Sequence, residues 1–477
     1  MKMPQPEISK RTTSVVLYLA LGGLSFSMLQ SLVAPALGTF AQDFGANTAD
    51  VSWILTSYLL SASVATPIIS KLGDMVGKRK MLIVALSFLF AGTVVAALAP
   101  SLPVLIFARF LQGAAGAVMP LSTGIARDLL PPAKVPTIVG LLSAIFGIGA
   151  GIGIVAAGPL VESFSWHALF WAPLIFIGLA LAGAIFGLPN SGSAQKARLD
   201  LPGIGLLALS LVSILIAVSK GREWGWGQPS TIALIATGII SMVTFLIVEN
   251  RSGHALVNLS LLKIRGVWTS NVVALTFGFA MFGTFVLIPT ILQLPSESGF
   301  GFGASVSESG LFLVPTVLMM VAFGPIAGAI SRRVGPKLPL VLGSAIAVLS
   351  YALPALVHDQ KWQLSLSGAL TGVGMGLAFS AMSNAIIESV PRTNTAESMG
   401  VNSIVRNIGS SVGTAVIATT LANFASSQGM PTDVAFTVGF WICTGVAVLA
   451  LLASIFGPSK ADRLASAKTQ NVNDFPE

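Results

Sequence analysis

Fourteen stretches of this chain are apolar over enough residues to cross a bilayer as helices. At 1.5 Å of rise per residue, each can span the roughly 30 Å of a hydrocarbon core. They lie at about 14–40, 50–70, 81–99, 103–126, 136–161, 167–188, 202–220, 229–249, 268–293, 306–330, 338–357, 364–387, 396–422 and 433–457. Such a chain has little choice of fold. Inside lipid every backbone N–H and C=O must be satisfied within the structure, and a helix does this within one segment. A water-soluble fold is excluded by charge: Asp, Glu, Lys and Arg make up 9% of the residues, far below the roughly 25% of soluble domains. The expected class is an all-α polytopic membrane protein.

The loop charges orient it. With the amino terminus inside, 21 of the 26 Lys and Arg fall in inside tails and loops, and only Lys220, Arg222 and Lys361 fall outside. That asymmetry obeys the positive-inside rule and puts both termini in the cytoplasm of a cell-membrane protein. The net charge of +8 is dispersed over short loops with no basic patch, which excludes a nucleic-acid partner. A single cysteine, Cys443, excludes a disulfide framework, and three scattered histidines supply neither a metal site nor a catalytic triad. No catalytic residue and no cofactor are expected.

Two polar joints break the regular spacing, and they divide the chain. The expected organisation is a tail at 1–13, a six-helix bundle at 14–189, a linker at 190–201, two inserted helices at 202–249, an amphipathic linker at 250–266, a second six-helix bundle at 267–457 and a tail at 458–477. In the second linker the apolar run Leu256–Leu262 is expected to lie on the membrane surface. The two bundles carry an echo of each other. Gly73–Lys80 is a charged turn with four charges in eight residues, and Ile330–Lys337 repeats it 258 residues later. Aligning Gly77 with Gly335 places Asp74 on Arg332, Val76 on Val334 and Arg79 on Lys337, the mark of an internal repeat.

The first of these turns resembles the loop between helices 2 and 3 of the major facilitator superfamily, which reads Gly-x-x-x-Asp-Arg/Lys-x-Gly-Arg/Lys-Arg/Lys. Asp74, Gly77, Lys78 and Arg79 match, while Ser70 replaces the leading glycine and Met75 the base after the aspartate. Arg109-Phe110-Leu111-Gln112-Gly113 is similar to the superfamily's Arg-x-x-Gln-Gly in helix 4, and Asn402-x-x-x-Arg406-Asn407-x-Gly409 to its run in helix 13. Six, two and six helices match the fourteen-helix, drug-exporter-like (drug:proton antiporter 2) branch. The runs at Met28 and Gly299 resemble an actinobacterial-type subgroup.

The resemblance implies a cytoplasmic gate of Asp74, Gly77, Lys78, Arg79 and Asp128, with Asp74 near a helix amino terminus of the opposite half, where the helix dipole favours an anion. The residues themselves suggest a cavity. Arg109 is costly in lipid and should face the bundle interior, with Gln30, Gln112 and Phe282 as further candidates for the substrate. A structural role for Arg109, hydrogen-bonded to backbone carbonyls, is the alternative. In helix 5, Gly149, Gly153, Gly158 and Pro159 stand where the family's antiporter signature reads Gly-Pro-x-x-Gly-Gly, a pattern only partly kept here. The helix-1 aspartate of such exporters is absent, its place taken by Leu29 beside Gln30. Glu308 and Glu162, near the rim, are the remaining candidates for proton coupling.

The expected function is secondary active export of small amphipathic molecules by alternating access, from a monomer embedded in the lipid bilayer. Lacking a mid-membrane carboxylate, the cavity should favour neutral or anionic substrates. Export of one specific endogenous metabolite or lipid-like compound, without proton antiport, is the alternative. A polytopic membrane enzyme is disfavoured because no cluster of acids and bases stands outside the gate turn.

Overall fold

The structure, a computed structural model, describes residues 5–46, 48–189, 200–251, 257–426 and 430–458. The expected linker at 190–201 and tail at 458–477 lie almost wholly outside the described residues, as do residues 252–256 of the second linker. The described chain is helical, its one bridge between extended residues being Ala425 with Pro431. The long helices are α1 (Gln5–Leu32), α2 (Thr48–Val76), α3 (Lys78–Ala97), α4 (Leu102–Leu129), α5 (Val135–Ser163), α6 (Ala168–Gly187), α7 (Leu201–Trp224) and α8 (Pro229–Arg251). They continue with α9 (Arg265–Gln293), α10 (Glu308–Val334), α11 (Lys337–Leu356), α12 (Lys361–Ser389), α13 (Thr395–Asn423) and α14 (Asp433–Ile455).

Among the described residues, thirteen helices are long and apolar enough to cross a membrane. The exception is α13, which has 29 residues but carries Glu397, Asn402, Arg406 and Asn407 among many serines and threonines. Its polarity has a structural reason, because Asn402, Ser403 and Arg406 line a recess inside the protein. The first apolar segment also differs from its expected bounds. α1 begins at Gln5, before the expected end of the tail, and the chain breaks around Pro35, whose missing N–H cannot continue a helix. A separate short helix, Leu37–Asp43, follows.

The repeat expected from the two charged turns is carried through the packing. α1 packs on α5 and α6, α2 on α4, and α3 on α4 and α6; adding eight to each number gives the pairs of the second half. α9 packs on α13 and α14, α10 on α12, and α11 on α12 and α14. One large core lies among residues 15–188, joined by Ile387 and Ala396, and another among residues 273–453. The turns themselves correspond. Gly77, at φ 123°, is the single residue between α2 and α3, and Gly335, at φ 99°, turns the chain with Pro336 between α10 and α11. A side chain would strain both. The expected eight-residue loop is therefore one glycine wide, with Asp74 in the last turn of α2 and Lys78 opening α3.

The contacts between halves obey the same symmetry. α5 packs on α10 and α12, while α13 packs on α2 and α4. α7 and α8 pair with each other, and α7 leans on both halves, against α2 and α13. The second linker departs from expectation. Val257 is buried with Leu207, Phe245 and Ile404, Leu259 and Leu262 pack against that cluster and Leu261 is buried too, so its apolar side packs on protein instead of membrane.

Candidate functional site

Two features span the halves: a charged cluster at the end of the molecule that holds Asp74, and a pair of recesses deeper in.

In the cluster, Lys78 is buried at the first residue of α3, where the helix dipole disfavours a cation. Two carboxylates offset this: Asp128 Oδ2 lies 2.8 Å and Asp74 Oδ1 3.3 Å from Lys78 Nζ. Gly124 leaves room for the lysine stem, since a Cβ there would meet Lys78 Cδ at 2.7 Å. Lys78 also donates across the divide to the Arg392 carbonyl at 3.3 Å.

The remaining bonds pair charges of the first half with helix ends of the second. The backbone N–H of Glu397, an otherwise unsatisfied donor in the first turn of α13, donates to Asp74 Oδ2 at 2.9 Å. Arg127 in α4 donates to the carbonyls of Val390 (2.8 Å) and Pro391 (3.2 Å), just past α12, and to Thr395 Oγ1 at 2.6 Å. An acid thus meets a helix amino end and a base a carboxyl end, the favourable sense of the dipole for both. Lys71 adds an ion pair to Glu397 at 2.8 Å, and Glu397 also accepts from the Asn258 backbone N–H at 2.6 Å.

Each charge-assisted bond is worth about 1.5–3 kcal/mol when made. Separation of the halves would return these groups to water, so the net hold is only a fraction of their sum. That is the energy scale of a latch. Arg79 is not part of it: it turns away and donates to the Ala184 and Ile185 carbonyls at the end of α6.

The recesses adjoin each other and share Phe146 of α5 and Phe379 of α12. The larger is lined almost entirely by apolar side chains of α5, α9, α10 and α12, among them Ile154, Met281, Phe285 and Met320. The smaller is lined, besides the two rings, by Met119, Met382 and Met399 and by the polar side chains of Ser143, Ser383, Asn402, Ser403 and Arg406. The Arg406 guanidinium lies between the two shared rings, 5.4 Å from the centroid of each. Among the described residues no carboxylate lines either recess.

Of the residues expected at the cavity, Arg109 lies elsewhere, fully buried within the first half. It donates to the carbonyls of Leu29 (3.1 Å) and Ile54 (3.3 Å) and to Gln112 Oε1 (2.7 Å), and stacks 4.2 Å from the Tyr58 ring. Gln112, equally buried, donates on to Thr93. These are helix-packing bonds, the alternative set out for Arg109 above. Arg109 reaches the recesses only through stacked rings, Tyr58 on Phe26 at 5.8 Å and Phe26 near Phe146 at 6.1 Å. Gln30 is half-buried on α1 and lines neither recess, and the Phe282 side chain lies outside the described residues.

On α5, Gly149 and Gly153 face α1, where an added Cβ would meet the Leu24 and Met28 carbonyls at 2.5 and 2.7 Å. Their counterparts, Gly409 and Gly413 of α13, face Leu275 and Phe279 of α9. Gly158 is half-buried and Pro159 exposed near the end of the helix. Glu308 caps α10: its carboxylate accepts from the Ser305 backbone N–H while its own N–H donates to Ser305 Oγ. Glu162 is exposed at the last turn of α5. Sequence reasoning missed Glu397, Lys71 and the rings of Phe146 and Phe379. The position of Glu397 as an acid in the first turn of a helix was the one signal available for it.

The comparisons with known proteins agree with this architecture. Residues 19–414 and 272–473 match the Major Facilitator Superfamily, and the chain belongs to it. It is a multi-pass membrane transporter of that superfamily. The Tetracenomycin C resistance and export protein of Streptomyces glaucescens is 27% identical over 427 residues, covering 88% of this chain and 78% of that protein. Multidrug resistance protein 3 of Bacillus subtilis is 27% identical over 87% of this chain and 81% of its own length. Multidrug resistance protein Stp of Mycobacterium tuberculosis is also 27% identical, over 88% of this chain and 78% of its own length. Among solved structures, the proton:xylose symporter XylE shares the fold at a TM-score of 0.65 and 14% identity, over 93% of this chain and 95% of that one. The human organic anion transporter MFSD10 does so at 0.62 and 18%, over 95% of this chain and 100% of that one.

Proposed function

We propose that this chain is a secondary active exporter of small amphipathic molecules, working by alternating access between the α1–α6 and α9–α14 bundles. The observation that carries the reading is the latch at the Asp74 end, which joins the bundles while recesses remain between them. Export rather than uptake is supported by relatives named for resistance and export.

In this reading α13 is a fourteenth crossing, the helices divide as six, two and six at the boundaries given above, and both termini are cytoplasmic. The loop charges support that orientation. Asp74, Lys78 and Asp128 then form the cytoplasmic gate, with Gly77 setting its turn and Arg79 anchoring α3 to α6. Gly149 and Gly153 hold α5 rigidly on α1, so that the first bundle moves as one body. Where export is driven by protons, the coupling carboxylate is at the rim, Glu308 or Glu162. The protein acts as a monomer in the cell membrane.

The test is a panel of candidate substrates on proteoliposomes, with a pH gradient and a membrane potential imposed separately. Efflux that follows either gradient supports the proposal, and flux of every compound equal to that of protein-free liposomes refutes it.

A further inference from the structure

Arg406 is the one full charge lining the recesses among the described residues, and its surroundings do not neutralise it. It stands eleven residues into α13, about 17 Å along the helix from Thr395, too deep for its head to reach bulk water easily. Among the described residues no carboxylate pairs with it. Its partners are the faces of Phe146, from one half, and Phe379, from the other.

Such faces stabilise a cation only modestly, by about 2 kcal/mol when desolvated, and they leave the five N–H donors of a guanidinium without acceptors of opposite charge. Around it stand neutral hydrogen-bonding groups. Ser143 Oγ is buried with no partner, and Asn402 is already committed to Ser270 and Asn271. Immediately beyond the two rings the lining turns apolar. The site is therefore amphipathic, with a cationic floor and a greasy, ring-walled upper part.

We propose that Arg406 recognises the anionic group of an amphipathic aromatic substrate, a carboxylate, sulfonate or ionised phenol, while the apolar recess takes its ring system. This rests on the transport reading above and names its substrate class. A carboxylate or sulfonate can take two parallel N–H bonds from the guanidinium fork, and an ionised phenol one or two on its single oxygen, while the attached ring lies against Phe146 or Phe379. A permanent cation would meet a like charge in a low-dielectric site and find no counter-ion. Because the two rings belong to different halves, an anion that draws Arg406 away from them also loosens a contact between the halves, linking occupancy to their motion.

The experiment uses the full chain in zwitterionic nanodiscs and two dyes of one scaffold, 1-anilinonaphthalene-8-sulfonate and neutral N-phenyl-1-naphthylamine. Binding is measured for wild type, Arg406→Gln and Arg406→Lys, each checked for monodisperse elution and unchanged helicity. Efflux of the same dyes from proteoliposomes is measured separately. The expected result is at least a 10-fold loss of sulfonate affinity in Arg406→Gln. Neutral-dye affinity should stay within about 3-fold, and Arg406→Lys, which keeps the charge but not the planar fork, should bind the sulfonate more weakly than wild type and more tightly than Arg406→Gln. Should the glutamine variant fail to fold, the lysine variant and wild-type competition by a quaternary ammonium analogue carry the test, and the analogue should not displace the sulfonate. No sulfonate binding by wild type, an equal loss of both dyes in Arg406→Gln, or displacement by the ammonium analogue would overturn the proposal. Charge-selective binding without efflux would leave it standing and remove the transport reading instead.

Discussion

The carboxylate of Asp74, on α2, accepts a hydrogen bond at 2.9 Å from the backbone N–H of Glu397, the third residue of α13. One half of the protein thereby caps a helix of the other. The capping bond exists only while the two halves meet at this end, so Asp74 stabilises one arrangement of the halves over another. Asp74→Asn keeps the shape but removes the charge that faces both Lys78 and the amino end of α13. A loss of about 1–2 kcal/mol from the latch is expected, a shift of roughly 5- to 30-fold in the balance between closed and open. The variant should insert and fold normally, export at least about 5-fold more slowly, and admit thiol reagents to the recesses from the Asp74 side. Unchanged export with unchanged accessibility would reduce Asp74 to an ordinary cap.

Arg109→Leu should behave differently, as a stability variant. Its guanidinium ties α1, α2 and α4 together through Leu29, Ile54 and Gln112 and is fully buried. Removing it leaves Gln112 and the two carbonyls short of a donor, at a cost of about 2–3 kcal/mol. Lower Tm and yield are expected, with the ranking of substrates preserved among the protein that folds. A selective change in substrate preference at normal stability would show that Arg109 meets the substrate after all.

The two glycine stripes of α5 separate packing within one half from packing between halves. Gly149→Val should fail to accumulate, because its side chain would be driven into the Leu24 carbonyl and Ser27. Gly147 faces the flexible end of Met320 on α10 instead, so Gly147→Ala should fold with Tm within a few degrees of wild type while altering the export rate. Equal loss of folding in both variants would contradict this division of roles.

How much of this was legible beforehand follows from the physics of each signal. Helix positions were, because length and apolarity report a membrane crossing directly, and so were Gly77 and Gly335, where the repeat needs a residue free to take positive φ. Depth in the bilayer could be read for Arg109 and Arg406, but not the direction each faces. A lipid-facing surface is as apolar as a packed one, so a membrane helix lacks the two-faced pattern that would orient it. Arg109, a cavity candidate with packing as its alternative, makes packing bonds, and Arg406, which the sequence marks only by its resemblance to the family's helix-13 run, lines a recess. α13, counted among the apolar stretches, is more polar than a lone membrane crossing allows for the same cause in reverse, since its polar face is turned inward.

The proposed orientation is tested with single cysteines in a Cys443→Ala background, Cys443 being buried and its replacement small. Gln228 and Glu297, both exposed, should label with a membrane-impermeant thiol reagent on intact cells, and exposed Lys80 and Arg333 should not. Glu297 is preferable to neighbouring Gly299, whose φ of 84° a cysteine would strain. Labelling of Lys80→Cys from outside would invert the topology.

The central claim, that the Asp74 end must open and close during export, is tested most directly by tying it shut. A Cβ added at Gly400 of α13 would lie 3.0 Å from Ser70 Cβ on α2, across the divide between the halves and about half an ångström inside the shortest usual disulfide separation, so a small parting of the two helices suffices for the bond. Ser70→Cys with Gly400→Cys, in the Cys443→Ala background, should cross-link under mild oxidant, stop export in proteoliposomes, and recover it on reduction. Cross-linked protein that exports at the rate of its reduced form would contradict the account.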